Sequence, residues 1–246
     1  MLIVECSQAT PEWFAARAGV ITASMFRLAR ARKKSGDKAL VKAADDYAFK
    51  LASERFIGGL MEDATYETWA MKRGQRLESE ARVCHMADIG RRVRPVGMVL
   101  SDDRAFGASA DGWIDGDGGA EYKCLIGPAS LKDIYLHDDM SFYMDQVQGN
   151  LWLSGRTWWD FCVYCPDFAA RGLHFYRQRV QRDDDYIEQM SYELNDFNNL
   201  VNRYVEVLEA RVARREGRAH VEDIPQDLAQ DIADAAAHEA ADPSFF

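Results

Sequence analysis

Apolar residues along this chain change spacing in a way that marks out its elements. Thr10-Pro11-Glu12 offers a helix cap followed by proline at the first helical position, Trp13 to Arg17 continue that helix, and Gly19 ends it. Val20–Ser24 is β-branched and then capping, so a second short helix is expected near Ser24. Leu40, Ala44, Tyr47, Ala48 and Leu51 recur at helical spacing and predict a helix over about 39–56, and another is expected over about 66–88. The period then falls to two. Arg94–Leu100, Phe106–Asp115 and Ala120–Leu125 read as strands, with Asp115–Gly119 as a tight turn between the last two. Residues 130–139 read as a polar loop or short helix, Ser141–Ser154 as a helix, Thr157–Cys165 and Leu173–Gln181 as strands, and Asp183–Arg215 as a long helix. This order predicts a mixed α/β fold, a central mixed β-sheet flanked by helices.

Composition narrows the class. Hydrophobic residues make up 48% and aromatics 11% of 246 residues, which suits a globular domain and excludes a wholly disordered chain. No apolar run approaches the ~18–20 residues needed to span a bilayer. The opening residues lack a basic region and carry Glu5, so they do not read as a secretory signal, and a cytoplasmic location with no membrane partner is expected. Five scattered cysteines point to reduced thiols rather than a disulfide framework. The net charge is −10. Residues 217–246 hold seven acids against one arginine, so the chain is expected to divide into a domain over 1–216 and an acidic C-terminal tail over 217–246. The most basic stretch is 27–38, with six Lys and Arg.

The 106–125 hairpin is the most informative segment. It places Asp111 on one strand and Glu121-Tyr122-Lys123 on the next. Glu121 and Lys123 are two apart and therefore face the same side. Carboxylate oxygens suit a hard divalent cation, and a lysine beside them can orient or deprotonate a water and stabilise charge developing on phosphorus. That combination fits phosphodiester hydrolysis; a surface ion pair on a hairpin is the plainer alternative. Glu78, in Arg73–Arg82 on the helix of 66–88, is placed to add an acid, or simply to belong to a polar helical face. Gln146, in Tyr143–Trp152, can position a phosphate or a water, or lie on an exposed face.

Together these strings, Ser109–Gly112 followed by Glu121–Lys123, preceded by Arg73–Glu78 and followed by Tyr143–Gln148, resemble the PD-(D/E)xK nuclease core. More narrowly, the chain is similar to the phage lambda exonuclease family, the YqaJ-type viral recombinases. Trp13, Arg17 and Gly19–Ser24 match that family's opening motif, and the likeness runs in motif order over about 12–182. Ala110 stands where the family's motif name has proline.

The resemblance implies a restriction-endonuclease-like core and a Mg²⁺-dependent 5′–3′ exonuclease. It would degrade one strand of linear double-stranded DNA and leave 3′ overhangs for recombination by a single-strand annealing protein. It implies Asp111 and Glu121 as central metal ligands with the Tyr122 carbonyl as a further one, two Mg²⁺ ions with Mn²⁺ as substitute, Lys123 as catalytic lysine, Glu78 completing the metal shell, and Gln146 placing the nucleophile or the lysine. Arg17, Ser24 and Ser109 fall at positions of a pocket for a terminal 5′-phosphate. It further implies a homotrimer around a DNA channel, which Arg27, Arg30, Arg32, Lys33 and Lys34 are expected to line or approach; a solvated loop is the alternative. Met71 is a candidate apolar wedge between bases or a core residue. A structure- or sequence-specific endonuclease, or an inactive DNA-end-binding module, remains as an alternative. Cys162 and Cys165 form a CxxC pair inside an apolar strand and are expected to be buried thiols.

Overall fold

The structure, a computed structural model, describes residues 1–33, 39–61, 69–125 and 127–215, without the side chains of 70, 71 and 75. The wedge expected at Met71, the basic side chain of Lys34 and the acidic tail over 217–246 lie outside the described residues. Nine strands and seven helices are described, in two mixed sheets flanked by helices.

One four-stranded sheet has the order β1 (Leu2–Val4), β4 (Met98–Leu100), β5 (Phe106–Ser109), β2 (Ile21–Thr22). The other has five strands: β3 (Val93–Arg94), β6 (Gly112–Ile114), β7 (Gly118–Lys123), β8 (Trp158–Tyr164), β9 (Phe175–Gln181). The mixed α/β expectation holds, with the single central sheet resolved into two.

The division arises within two strands that the residue pattern reads as continuous. Arg94 pairs with Trp113 in one sheet and Met98 pairs with Ser109 in the other, so the antiparallel register is continuous although the ladder is broken. Pro95 has no N–H to donate, and a Cβ on Gly97 would lie 2.0 Å from the Val4 carbonyl oxygen. The opposing chain opens at Ala110-Asp111. Asp111 therefore sits where the ribbon parts and its carboxylate is free to reach sideways.

β7 and β8 are parallel, Glu121 facing Phe161, and α5 (Pro128–His137) and α6 (Met144–Ser154) lie in the crossover between them. Both faces of β8 are buried, which explains why its residues are apolar apart from Asp160; Cys162 lies within it as a free thiol, and Cys165, just after it, is free as well. Gly119 is required here: a Cβ would stand 2.2 Å from the Trp159 ring. Gly149 does the same for α6, where a Cβ would meet the Phe26 ring at 2.6 Å. That close approach brings α6 against α2 (Phe26–Ala29) and the 3₁₀ turn Ala23–Met25.

Thr10 caps α1 (Pro11–Arg17) by accepting from the Trp13 amide. α3 (Lys42–Ile57) packs on α7 (Asp184–Arg215), whose buried stripe is Ile187, Met190, Leu194, Phe197 and Val201. α4 (Trp69–Ile89) lies across β7, β8 and β9. No described helix is long and apolar enough to cross a membrane.

Candidate active site

The β6–β7 hairpin brings Asp111 beside the strand that carries Glu121 and Lys123. The Tyr122 amide donates to Asp111 Oδ2 at 2.6 Å, and Gln8 Nε2 donates to Oδ1 at 3.4 Å. On the same face Lys123 Nζ donates to Glu121 Oε1 at 2.8 Å and to Gln146 Oε1 at 2.9 Å, while Gln146 Nε2 donates to Glu121 Oε1. Asn150, one turn beyond Gln146 on α6, donates to Glu121 Oε2 at 3.1 Å. Asp111, Glu121, Lys123 and Gln146 thus meet at one place, and the surface-ion-pair alternative fails because Glu121 is only 3% exposed and Asp111 9%.

Glu78 is the looser member. It faces Arg82 on its own helix, and Arg82 also donates to the Asp111 backbone carbonyl at 3.0 Å. Glu78 nevertheless belongs to the same electrostatic cluster. Burial holds the Asp111 carboxyl well above the usual carboxylate range, and the charges of Glu121 and Glu78 push it further. Burial also raises Glu78, with Arg82 opposing and Glu121 adding. Lys123 shows the complement: burial lowers an ammonium, yet Glu121 and Asp111 reverse this and hold it above its ordinary value.

Among the described residues no three His, Cys, Asp or Glu side chains stand together in metal-ligand geometry. The reason is local: Lys123 and Gln146 occupy Glu121 Oε1, and Arg82 draws Glu78 away. The donor set itself suits a hard cation. It is all oxygen, its carboxylates repel one another, and Asn150 Oδ1 is buried without a partner. Asp111, Glu121, Glu78 and the Tyr122 carbonyl are the groups able to hold such an ion.

A second cluster adjoins the first, because Ser109 ends β5 two residues before Asp111. Arg17 lies over the Trp13 ring, 4.3 Å from its centroid, and the Trp13 indole N–H donates to Ser109 Oγ. Arg17 also donates to Thr22 Oγ1 at 3.4 Å, which is 3.4 Å from Ser24 Oγ. Arg17, Ser24 and Ser109 are therefore linked through Trp13 and Thr22. Behind them Glu54, 3% exposed, accepts the Gly19 amide at 2.9 Å. Burial lowers the Arg17 guanidinium from its ordinary value, and Tyr47 and Glu54 oppose this.

The far side of β7 is pinned by a buried network. Tyr122 hydroxyl is 2.9 Å from His85 Nδ1, His85 Nε2 is 3.1 Å from Asp160 Oδ2, and Arg179 donates to both Asp160 oxygens at 2.8 and 2.9 Å. It ties α4, which carries Glu78, to β7, β8 and β9. The sequence reading missed Asn150, Arg82, His85 and Asp160 as parts of this site. Asn150 and Arg82 were discoverable from their four-residue offsets from Gln146 and Glu78; nothing local marks His85 or Asp160.

Within the basic stretch, Arg30 pairs with Asp145 and, at 2.7 Å, with Glu193. Arg32 donates to the Ala29 carbonyl at 3.1 Å. Arg27 is exposed and lies 4.1 Å from the centre of the Phe142 ring.

Several known proteins share this arrangement of chain. An alkaline exonuclease from Laribacter hongkongensis aligns with a TM-score of 0.72 and 29% identity, covering 83% of this chain and 99% of the other. The same enzyme in complex with dAMP aligns with the same TM-score of 0.72. A phage-related exonuclease from Haemophilus somnus 129PT aligns at 0.60 with 14% identity, over 78% of this chain and 96% of that one, and there the likeness is of fold. Among curated proteins no match is found. Residues 12–157 match the YqaJ-like viral recombinase domain, a span that holds Arg17, Ser24, Glu78, Ser109, Asp111, Glu121, Lys123 and Gln146 alike. The chain belongs to the YqaJ-like viral recombinase family.

Proposed function

We propose that this protein is a Mg²⁺-dependent 5′–3′ exonuclease that degrades one strand of linear double-stranded DNA and leaves 3′ overhangs. Family membership and likeness to an alkaline exonuclease support a nuclease acting on DNA. The observation that carries the reaction type is the buried meeting of Asp111 and Glu121 with Lys123 and Gln146.

Asp111, Glu121, Glu78 and the Tyr122 carbonyl would hold the Mg²⁺ ions, two in our reading, with Mn²⁺ as substitute. When bound, they supply charge stabilisation to the oxygens of an in-line displacement at phosphorus. Lys123, held protonated by its two carboxylate neighbours, places a positive charge at the reacting phosphate. Gln146 fixes the position of the Lys123 ammonium and offers its amide to the attacking water. Asn150 orients Glu121 from the other oxygen.

Arg17, Ser24 and Ser109 form the pocket for a terminal 5′-phosphate, with the guanidinium stacked and therefore preset. A grip on that end two residues from Asp111 gives inward digestion its direction. Arg17→Ala is expected to lower the preference for 5′-phosphorylated over 5′-hydroxyl ends by roughly tenfold or more, since charge-assisted hydrogen bonds are lost. Competition between the two ends in one digest measures this, and an unchanged ratio rejects the pocket.

The same reading places the nuclease domain over 1–216, an acidic tail over 217–246, a homotrimer in the bacterial cytoplasm, and an annealing protein as partner for the overhang. Its test is digestion of linear duplex labelled at the 5′ or 3′ end in Mg²⁺, with a circular control. Release of 5′ label as mononucleotide, with the circle intact, is expected. Cutting of the circle would instead establish an endonuclease.

A further inference from the structure

The phosphate pocket and the catalytic lysine are joined by an exposed pair of planar groups. Ser24 and Arg27 are three residues apart, in the 3₁₀ turn and on the short α2 that follows it. The Arg27 guanidinium lies 4.1 Å from the Phe142 ring centroid. Phe142 stands edge-to-face against Tyr143, centroids 5.1 Å apart, and Lys123 Nζ is 5.7 Å from the Tyr143 ring centre. Tyr143 is fixed from behind by Phe161 at 4.9 Å. The row of ring contacts runs from Arg27 to Lys123, and Arg27 lies one turn after Ser24.

Phe142 adds little to the core, its ring contacts being Arg27 and the edge of Tyr143. It is 58% exposed, in a segment whose neighbours Met140 and Tyr143 are drawn into the core. Arg27 makes no salt bridge among the described residues, whereas Arg30, one turn on, is held by Asp145 and Glu193. Phe142 with a guanidinium that has no carboxylate partner among the described residues stacked on one ring face forms an exposed planar pair, and this matches what an unpaired nucleobase and its backbone require: a π-surface to stack on and a cation for the adjoining charge.

We propose that Phe142 and Arg27 form a stacking platform for an unpaired base near the 5′ end of the strand being digested. This subsite rests on the exonuclease reading and adds to it a contact with the base, where the phosphate pocket and carboxylate cluster contact only backbone. The contact is indifferent to base identity, since every base has a π-face.

The test uses a 5′-phosphorylated single-stranded hexanucleotide with a fluorophore at its 3′ end, and versions lacking the base at position one, two or three. Binding is read by anisotropy for wild type, Phe142→Leu and Phe142→Trp, with thermal midpoints confirming that each variant is folded. Wild type is expected to lose roughly 5- to 100-fold in affinity when one of the three bases is removed. Phe142→Leu should bind the intact strand as weakly as wild type binds that abasic one, and should lose little more on removal of the same base. Phe142→Trp should retain wild-type affinity. Wild-type affinity in Phe142→Leu, or separate and additive losses from variant and abasic site, overturns the platform. Sedimentation of the same samples adds a further check: Phe142→Leu that dissociates an oligomer but binds intact and abasic strands with the wild-type difference makes the ring an intersubunit contact and also overturns it. The labelled-duplex digest separates the two readings. Normal 5′ release with these negative results removes only the platform, while no digestion by wild type removes the enzyme reading beneath it.

Discussion

Lys123→Ala is expected to reduce cleavage by about a thousandfold or more while DNA binding stays within a few-fold of wild type. The size follows from position. Lys123 Nζ lies 2.9 Å from Gln146 Oε1, a contact that holds the ammonium in place when an ion takes over Glu121 Oε1, so the charge is preset as the phosphate becomes more negative. A preorganised donor of this kind contributes roughly 10²–10³ in rate, and orientation of the nucleophile adds to it. Removing the ammonium also leaves Glu121 buried beside Asp111 with less compensation. Lys123→Arg should not restore full rate, because a guanidinium is broader than an ammonium and Gln146 closes the space around it. Single-turnover digestion with enzyme in excess separates the chemical step from binding. Turnover within tenfold of wild type would remove Lys123 from the reaction.

Asp160→Asn is expected to cost about 1–3 kcal/mol of stability, because it removes the charge from a fully buried carboxylate that accepts from His85 and from a partly exposed Arg179. Thermal unfolding should move down by several degrees, about 2–4 °C for each kcal/mol lost. The pH dependence gives a finer signature. Burial raises the Asp160 carboxyl, but hydrogen bonds from Arg179 and His85 prevail and hold it down at about 2, against an ordinary 3.8. A carboxyl whose folded value lies below its unfolded value contributes stability that is present above the unfolded value and lost as pH falls toward the folded one. Wild type should therefore lose this contribution between about pH 4 and pH 2, and Asp160→Asn should lack that part of the curve. Equal slopes for both proteins in this window would show that the network does not support the fold as described. The same network joins α4 to β7, so the variant is also expected to loosen Glu78 relative to Asp111.

Much of this was readable along the chain because it is local. Glu121 and Lys123 share a face by strand alternation, and their 2.8 Å contact follows from it. The long helix over 183–215 declared itself through its apolar stripe, of which Ile187, Met190, Leu194, Phe197 and Val201 are buried. Two strands were read whole that the structure divides. Their register is continuous across the break, so alternation gave no warning; Pro95 and the crowding at Gly97 force it. That break matters because it frees Asp111. β1 was not anticipated, being three residues long and half-exposed on an edge. Composition gives Arg30 no partner, since only the fold brings Asp145 and Glu193 to it. His85 and Asp160 are 75 residues apart, and no periodicity joins them.

We propose that Glu78, Asp111, Glu121 and the Tyr122 carbonyl bind divalent ions that Lys123 then assists. The most direct test of this claim is a crystal of the full chain grown with Mn²⁺, with data collected at the manganese absorption edge. Anomalous peaks are predicted within bonding reach of Asp111 and Glu121, with Glu78 turned from Arg82 toward the ion and Lys123 released from Glu121 Oε1. No anomalous density there, in a preparation that digests DNA in the same Mn²⁺ buffer and with the Lys123–Glu121 and Arg82–Glu78 pairs intact, would contradict it.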